Sequence, residues 1–198
     1  MKKKLNNRLK IENLEYGYTL VELLAVIIVM VVVSMVIAGI LVSSFRNSSK
    51  SNVVDNVTQN GNNAIIQMSK MISYARNFNG VSTGSAQLYT TDCTRPLPPS
   101  VSYKFIKITA FDNGTTIFGC NGASDNPANT ITSNSASLIN TASVSVVSCN
   151  FTCTQNGYGQ VPTIGIYFTL SQIGSGGFAE KSSTIPFETS VTMRNVAF

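Results

Sequence analysis

The chain contains no histidine, so the commonest general base and the commonest transition-metal ligand are both absent. A Ser–His or Cys–His nucleophile is therefore excluded. Beyond residue 45 the acids are Asp55, Asp92, Asp112, Asp125, Glu180 and Glu188, and none is spaced as a recognisable general acid–base pair. Asp112, followed by Asn113-Gly114, and Asp125, followed by Asn126-Pro127, read as turn and loop residues. Asp92, Asp112 and Asp125 could offer oxygens to a calcium ion, but no loop of alternating acids holds them together. The expectation is a protein that is not an enzyme and has no cofactor and no metal.

The four cysteines, Cys93, Cys120, Cys149 and Cys153, all lie in the second half. With no CxxC pair and no histidine a zinc site has little support, and an even count in an exported domain favours disulfides. In an extended strand the α-carbons of Cys149 and Cys153 stand ~13 Å apart, beyond the ~7 Å reach of a disulfide. They bond to one another only if the chain turns between them. Pairing of each with Cys93 or Cys120 is equally open, so all three connectivities remain.

One more carboxylate is in an unusual place. Glu22 stands at the edge of Leu23–Val42, twenty residues with no charge and only Ser34 as a polar interruption. At 1.5 Å rise per residue that run is ~30 Å long, the thickness of a bilayer core. An acid there is costly, by ~2.5–3.5 kcal/mol near a helix centre and less toward the interface, unless it finds a partner. Lys2, Lys3, Lys4, Arg8 and Lys10 precede the run, against Arg46 and Lys50 after it. The positive-inside rule therefore keeps the N-terminus in the cytoplasm and sends everything after about residue 45 across the membrane.

The same residues explain the formal charge of +5. Five cations against Glu12 and Glu15 put +3 in the first 17 residues and leave +2 for the rest. The later cations, Lys70, Arg76, Arg95, Lys104, Lys107, Lys181 and Arg194, are scattered. No clustered basic face exists to neutralise several phosphates, so intrinsic nucleic-acid binding is not expected.

The elements that position these groups follow from periodicity. No proline occurs before Pro96, so nothing forces the apolar helix to stop at the membrane. Val54, Val57, Gly61, Ala64, Ile65, Met68, Ile72, Ala75 and Phe78 recur at helical steps and predict one buried stripe. The reading is a single helix to about residue 78, roughly 85–90 Å long, with Asn60-Gly61-Asn62-Asn63 as a weak point and Asn79-Gly80 as its stop. Beyond it, Val101–Phe111 and Thr115–Cys120 flank Asp112-Asn113-Gly114 as a hairpin. Ser143–Thr152, Pro162–Ser171 and Ile185–Arg194 read as three further strands, while 121–142 and Gly174–Gly177 read as loops. The fold class is α+β: a long N-terminal helix, membrane-spanning in its first half, packed against an antiparallel β-sheet head. The boundaries are 1–17 leader, 18–45 membrane half, 46–79 amphipathic half and 80–198 head, with one modest core.

Gly17-Tyr18-Thr19-Leu20-Val21-Glu22, placed between a basic leader and an uninterrupted apolar run, resembles the class III leader of type IV prepilins and pseudopilins. An ordinary secretory signal would carry its cleavage site on the far side of the apolar region. The resemblance implies that a prepilin peptidase cuts after Gly17, that the mature chain begins at Tyr18 with a methylated amine, and that Glu22 pairs with the amine of a neighbouring subunit. It implies a pilin-like head, a location first in the bacterial inner membrane and then in a pilus or pseudopilus, and other pilin or pseudopilin subunits and membrane lipid as partners. Tyr18 stands where phenylalanine is usual, and Gly39 stands near the place where many major pilins carry a helix-bending proline. The head, with its closing Pro186–Asn195, is similar to minor pilins and J-type minor pseudopilins. The expected function is a structural subunit of a type IV pilus or a type II secretion-like pseudopilus. The alternative is a filament-borne binding module for adhesion, DNA uptake or recognition of an exported protein through loops 121–142 or 172–183.

Overall fold

The computed structural model describes residues 17–84, 88–94, 102–121, 130–157, 159–173 and 183–194. It is an α+β protein with helix α1 at Leu20–Ser73 followed by eight strands. Two compact units are distinguished, residues 1–45 and 46–198.

In the first unit the helix is continuous through Gly39. Ser34, the one polar side chain within the apolar run, donates from Oγ to the Met30 carbonyl at 2.7 Å, so its hydroxyl needs no partner outside the helix. Every described residue of this unit is exposed.

The second unit contains the rest of α1 and all the strands. Val57, Gly61, Ala64, Met68 and Ile72 are buried at the predicted steps of three and four. Val57, Ala64, Met68 and Ile72 share one hydrophobic cluster with Ile106, Ile108, Phe118 and Ile131 of one sheet and Phe151, Ile164, Ile166, Phe168 and Leu170 of the other. Fully burying side chains of this size gains about 1.5–3 kcal/mol each, which makes the stripe the main reason that this part of α1 stays helical. The weak point at Asn60 is tied down: its Nδ2 donates to the Asn56 carbonyl at 2.9 Å, and its Oδ1 accepts from the Asn140 backbone N–H at 3.0 Å.

The helix ends at Ser73, short of the expected residue 78. Ala75 N–H bonds the Ile72 carbonyl three residues back at 3.2 Å, a tighter turn than the helix, and Arg76 N–H is captured by the Thr109 carbonyl at 2.8 Å. Phe78 continues the apolar spacing but belongs to strand β1, Asn77–Ser82. Gly80 is not a helix stop either. It sits beside a bulge in β1 with φ of +117°, and a Cβ there would press on the Thr90 carbonyl oxygen. Such a backbone favours glycine.

The first sheet is an antiparallel meander in the order β1, β2 (Phe105–Thr109), β3 (Thr115–Asn121), β4 (Thr130–Ser133), β5 (Ala136–Ser137). The β2–β3 turn is the predicted one, with Asn113 at φ 66° and Asp112 Oδ1 accepting from Gly114 N–H at 2.9 Å. The second sheet is β6 (Val144–Thr154), β7 (Thr163–Gln172), β8 (Thr184–Thr192), also antiparallel. Two sheets thus replace the single sheet expected. Tyr103 and Phe151 exchange backbone hydrogen bonds of 2.8 Å between them.

Residues 130–133 and 136–137, expected as loop, are strands. Asn134 and Ser135 both take positive φ, the geometry of a two-residue hairpin turn. Leader residues 1–16, the Gly174–Gly177 cluster, Arg95, Lys181, Asp125 and Glu180 lie outside the described residues.

Candidate functional site

The residues singled out at the N-terminus come together as the start of a helix. Gly17, Tyr18 and Thr19 are non-helical and exposed. Thr19 is the N-cap: its Oγ1 accepts from Glu22 N–H at 3.3 Å, and its carbonyl accepts from Leu23 N–H at 3.2 Å. Glu22 is therefore the third helical residue, where Thr-x-x-Glu has the sequence form of a capping box and a carboxylate offsets the positive end of the helix dipole by about 0.3–1 kcal/mol. This local role for Glu22 was not foreseen, although Thr19 three residues ahead of it was the available signal.

Immediately after Glu22 the helix presents its apolar side chains outward on every side, including Leu24, Ile28, Val32, Val36 and Ile40. Among the described residues this is the one helix long and apolar enough to cross a membrane. It is compatible with a single-pass membrane protein.

The four cysteines form two disulfides, Cys93–Cys153 and Cys120–Cys149, with α-carbons 5.5 and 5.4 Å apart. Cys149 and Cys153 do not bond to each other because β6 is extended through both. A bulge at Val147 shifts the inward-facing residues of β6 from even to odd positions: Val144 and Val146 are buried before it, and Cys149, Phe151 and Cys153 after it. Cys120 on β3 thus joins the first sheet to the second, and Cys93 fastens the segment after β1 to the end of β6. Cys93 N–H also donates to Gln155 Oε1 at 2.7 Å. Among the described residues no group of three His, Cys, Asp or Glu could hold a metal ion.

Asp92 and Asp112, the described members of the possible calcium set, occupy local turns. Asp92 Oδ1 accepts from Thr94 N–H and Oγ1 at 2.9 and 2.6 Å. Burial pushes the Tyr103 phenol above its ordinary value, and the nearby Asp92 carboxylate adds to the rise.

One surface feature carried no sequence signal. Lys70, Met71 and Tyr74 at the end of α1 face Ala110, Phe111 and Asp112 of the β2–β3 turn across an open cleft of about 750 Å³. The turn is fixed by Arg76, whose guanidinium donates to Asn113 Oδ1 at 2.8 Å. Two segments far apart in the chain build this cleft, and neither is distinctive alone.

No protein-family model, no curated protein and no solved structure gives a significant match to the chain.

Proposed function

We propose that the chain is a structural subunit, a minor pilin or pseudopilin, of a type IV pilus or type II secretion-like pseudopilus. A prepilin peptidase releases it after Gly17, and it assembles through Leu23–Val42 and Glu22. The observation that carries this reading is the order of features at the N-terminus: a non-helical Gly17–Tyr18 bond, a capped helix start at Thr19, an acid in the first turn, and then an apolar surface exposed on all sides. A peptidase can reach that bond without breaking any helical hydrogen bond. So much exposed apolar surface must be covered by lipid or by other helices, and a filament core would supply the second after the membrane has supplied the first. The head would be the pilin-like domain, held rigid by its two disulfides outside the membrane.

The test separates the cap from the charge. Gly17→Leu should leave the full-length precursor uncut on an immunoblot. Glu22→Gln retains the hydrogen-bonding shape that a capping box accepts but removes the charge. It should be cut normally and recovered in the membrane, yet be missing from sheared filaments. Normal incorporation of the Gln variant would sink the charge-pair mechanism and leave Glu22 as a helix cap.

A further inference from the structure

We infer that the cleft at the end of α1 is a self-association site, occupied by Phe111 of a second copy of this chain in a two-fold symmetric contact. Phe111 is 78% exposed at the tip of the β2–β3 turn, and Tyr74 is 50% exposed on the opposite wall. The patch therefore carries a protruding aromatic and an apolar hollow side by side. Lys70 and Asp112 flank the same hollow with opposite charges, and among the described residues neither has an ion-pair partner.

A surface that holds both a knob and a hole, and both signs of charge, is complementary to itself. Two-fold pairing places each Phe111 against the partner's Met71 and Tyr74, and each Lys70 beside the partner's Asp112. A partner of a single charge would satisfy one flank and repel the other, which is why the second copy is favoured. The Arg76–Asn113 hydrogen bond holds the turn in place before contact, so little ordering entropy is lost on association.

Magnitude sets where the contact forms. With ~200 Å² per aromatic side chain, Phe111 and Tyr74 expose about 250 Å² per copy, well below the ~800 Å² per partner of a stable dimer. The contact is weak between free molecules and becomes populated when two chains share one membrane, which raises their effective concentration. It does not rest on the filament reading, since any anchored copies would associate in this way.

The experiment uses the full chain, half of it labelled with ¹⁵N, reconstituted into phosphatidylethanolamine–phosphatidylglycerol vesicles and treated with a water-soluble carbodiimide. The reagent joins a lysine amine to a carboxylate in contact with it, with loss of water. The expected product is a mixed-isotope Lys70–Asp112 cross-link, which only two different copies can form. Lys70→Glu removes the reacting amine together with the attraction, so this cross-link should disappear, while a charge swap restores one amine and one carboxylate at each contact. Lys70→Glu combined with Asp112→Lys should recover most of it, and Phe111→Ala should lower it with the charges intact. These side chains lie outside the core, and intact disulfides by mass would show that each variant has folded. A dimer unaffected by Lys70→Glu, a swap that fails to restore it, or no mixed-isotope product in the parent chain would each overturn the proposal. Cross-linking of Asp112 to an added membrane protein in place of a second copy would overturn it equally.

Discussion

Gly61 offers a direct test of how α1 meets the second sheet. A methyl group at this position would fall inside contact distance of Cζ and both Cε atoms of Phe187, closer than the ~3.5 Å at which carbon atoms rest. The Phe187 ring cannot simply withdraw, because it is stacked on Phe168 with centroids 5.2 Å apart and planes inclined by 20°. Gly61→Ala should gain about 1 kcal/mol of helix propensity and lose about 1–3 kcal/mol to overpacking, for a net loss of up to ~2 kcal/mol. In a Phe187→Leu background the obstruction is gone, and the same substitution should stabilise by about 1 kcal/mol. The sign reversal, not either value alone, is the prediction. The chain has no tryptophan, so urea unfolding in detergent is best followed by tyrosine near-ultraviolet circular dichroism. With a slope of ~2 kcal/mol per molar urea, each 1 kcal/mol moves the midpoint by ~0.5 M. If Gly61→Ala raises the midpoint equally in both backgrounds, the close packing of Gly61 on Phe187 is wrong.

The disulfides should give comparable losses when removed separately as Cys→Ala pairs. Loop-closure entropy for separations of 60 and 29 residues corresponds to about 4.3 and 3.6 kcal/mol, so urea midpoints differing by more than about 1 M would show that loop length does not govern the loss. Without reductant, mass spectrometry of the alkylated protein should find no thiol-blocked cysteine, and four blocked cysteines would remove the disulfides altogether. Tyr103 should make the head sensitive to alkali. Its folded value lies above the unfolded one near 10, so the unfolded state loses the proton first and stability falls as pH rises past about 10. Tyr103→Phe should lessen that fall in the urea midpoint between about pH 9 and 11, and an unchanged slope would count against it.

Much of the fold follows from patterns that survive in one dimension. The stripe from Val57 to Ile72 is a spacing, and Ile164, Ile166, Phe168 and Leu170 are an alternation. Each pattern is enforced by burial of the same residues. The helix end is different, since Ala75 and Phe78 extend the spacing while Arg76 N–H is taken by Thr109, far along the chain. Local periodicity has no access to that competitor. Strands β4 and β5 were hidden by composition: Thr130 and Thr132 lie in a stretch rich in Asn, Ser and Ala, yet both are buried, with Thr130 Oγ1 2.6 Å from Ser137 Oγ and Thr132 Oγ1 donating to the Gly119 carbonyl. Cysteine pairing depended on one inserted residue, Val147, which decides that odd positions of β6 point inward after it and has no sequence mark.

At the N-terminus the residues of the proposed processing site are contiguous in sequence, and the geometry adds a constraint that the motif does not carry. Thr19 already caps the helix with its own hydroxyl and carbonyl, so cutting between Gly17 and Tyr18 leaves every helical bond in place. Cutting there would also create an ammonium one residue ahead of the cap, beside the positive end of the helix dipole, where a cation is unfavourable by a few tenths to about 1 kcal/mol. Glu22 in the first turn is the nearest group able to offset it. A carboxylate in that position has two competing uses, its own chain's amine and that of a neighbour. Only the second gains by bringing two chains together. Glu22→Gln removes both uses while retaining the cap, so its loss from filaments, with cutting and membrane recovery unchanged, would assign Glu22 to charge pairing and not to the helix start.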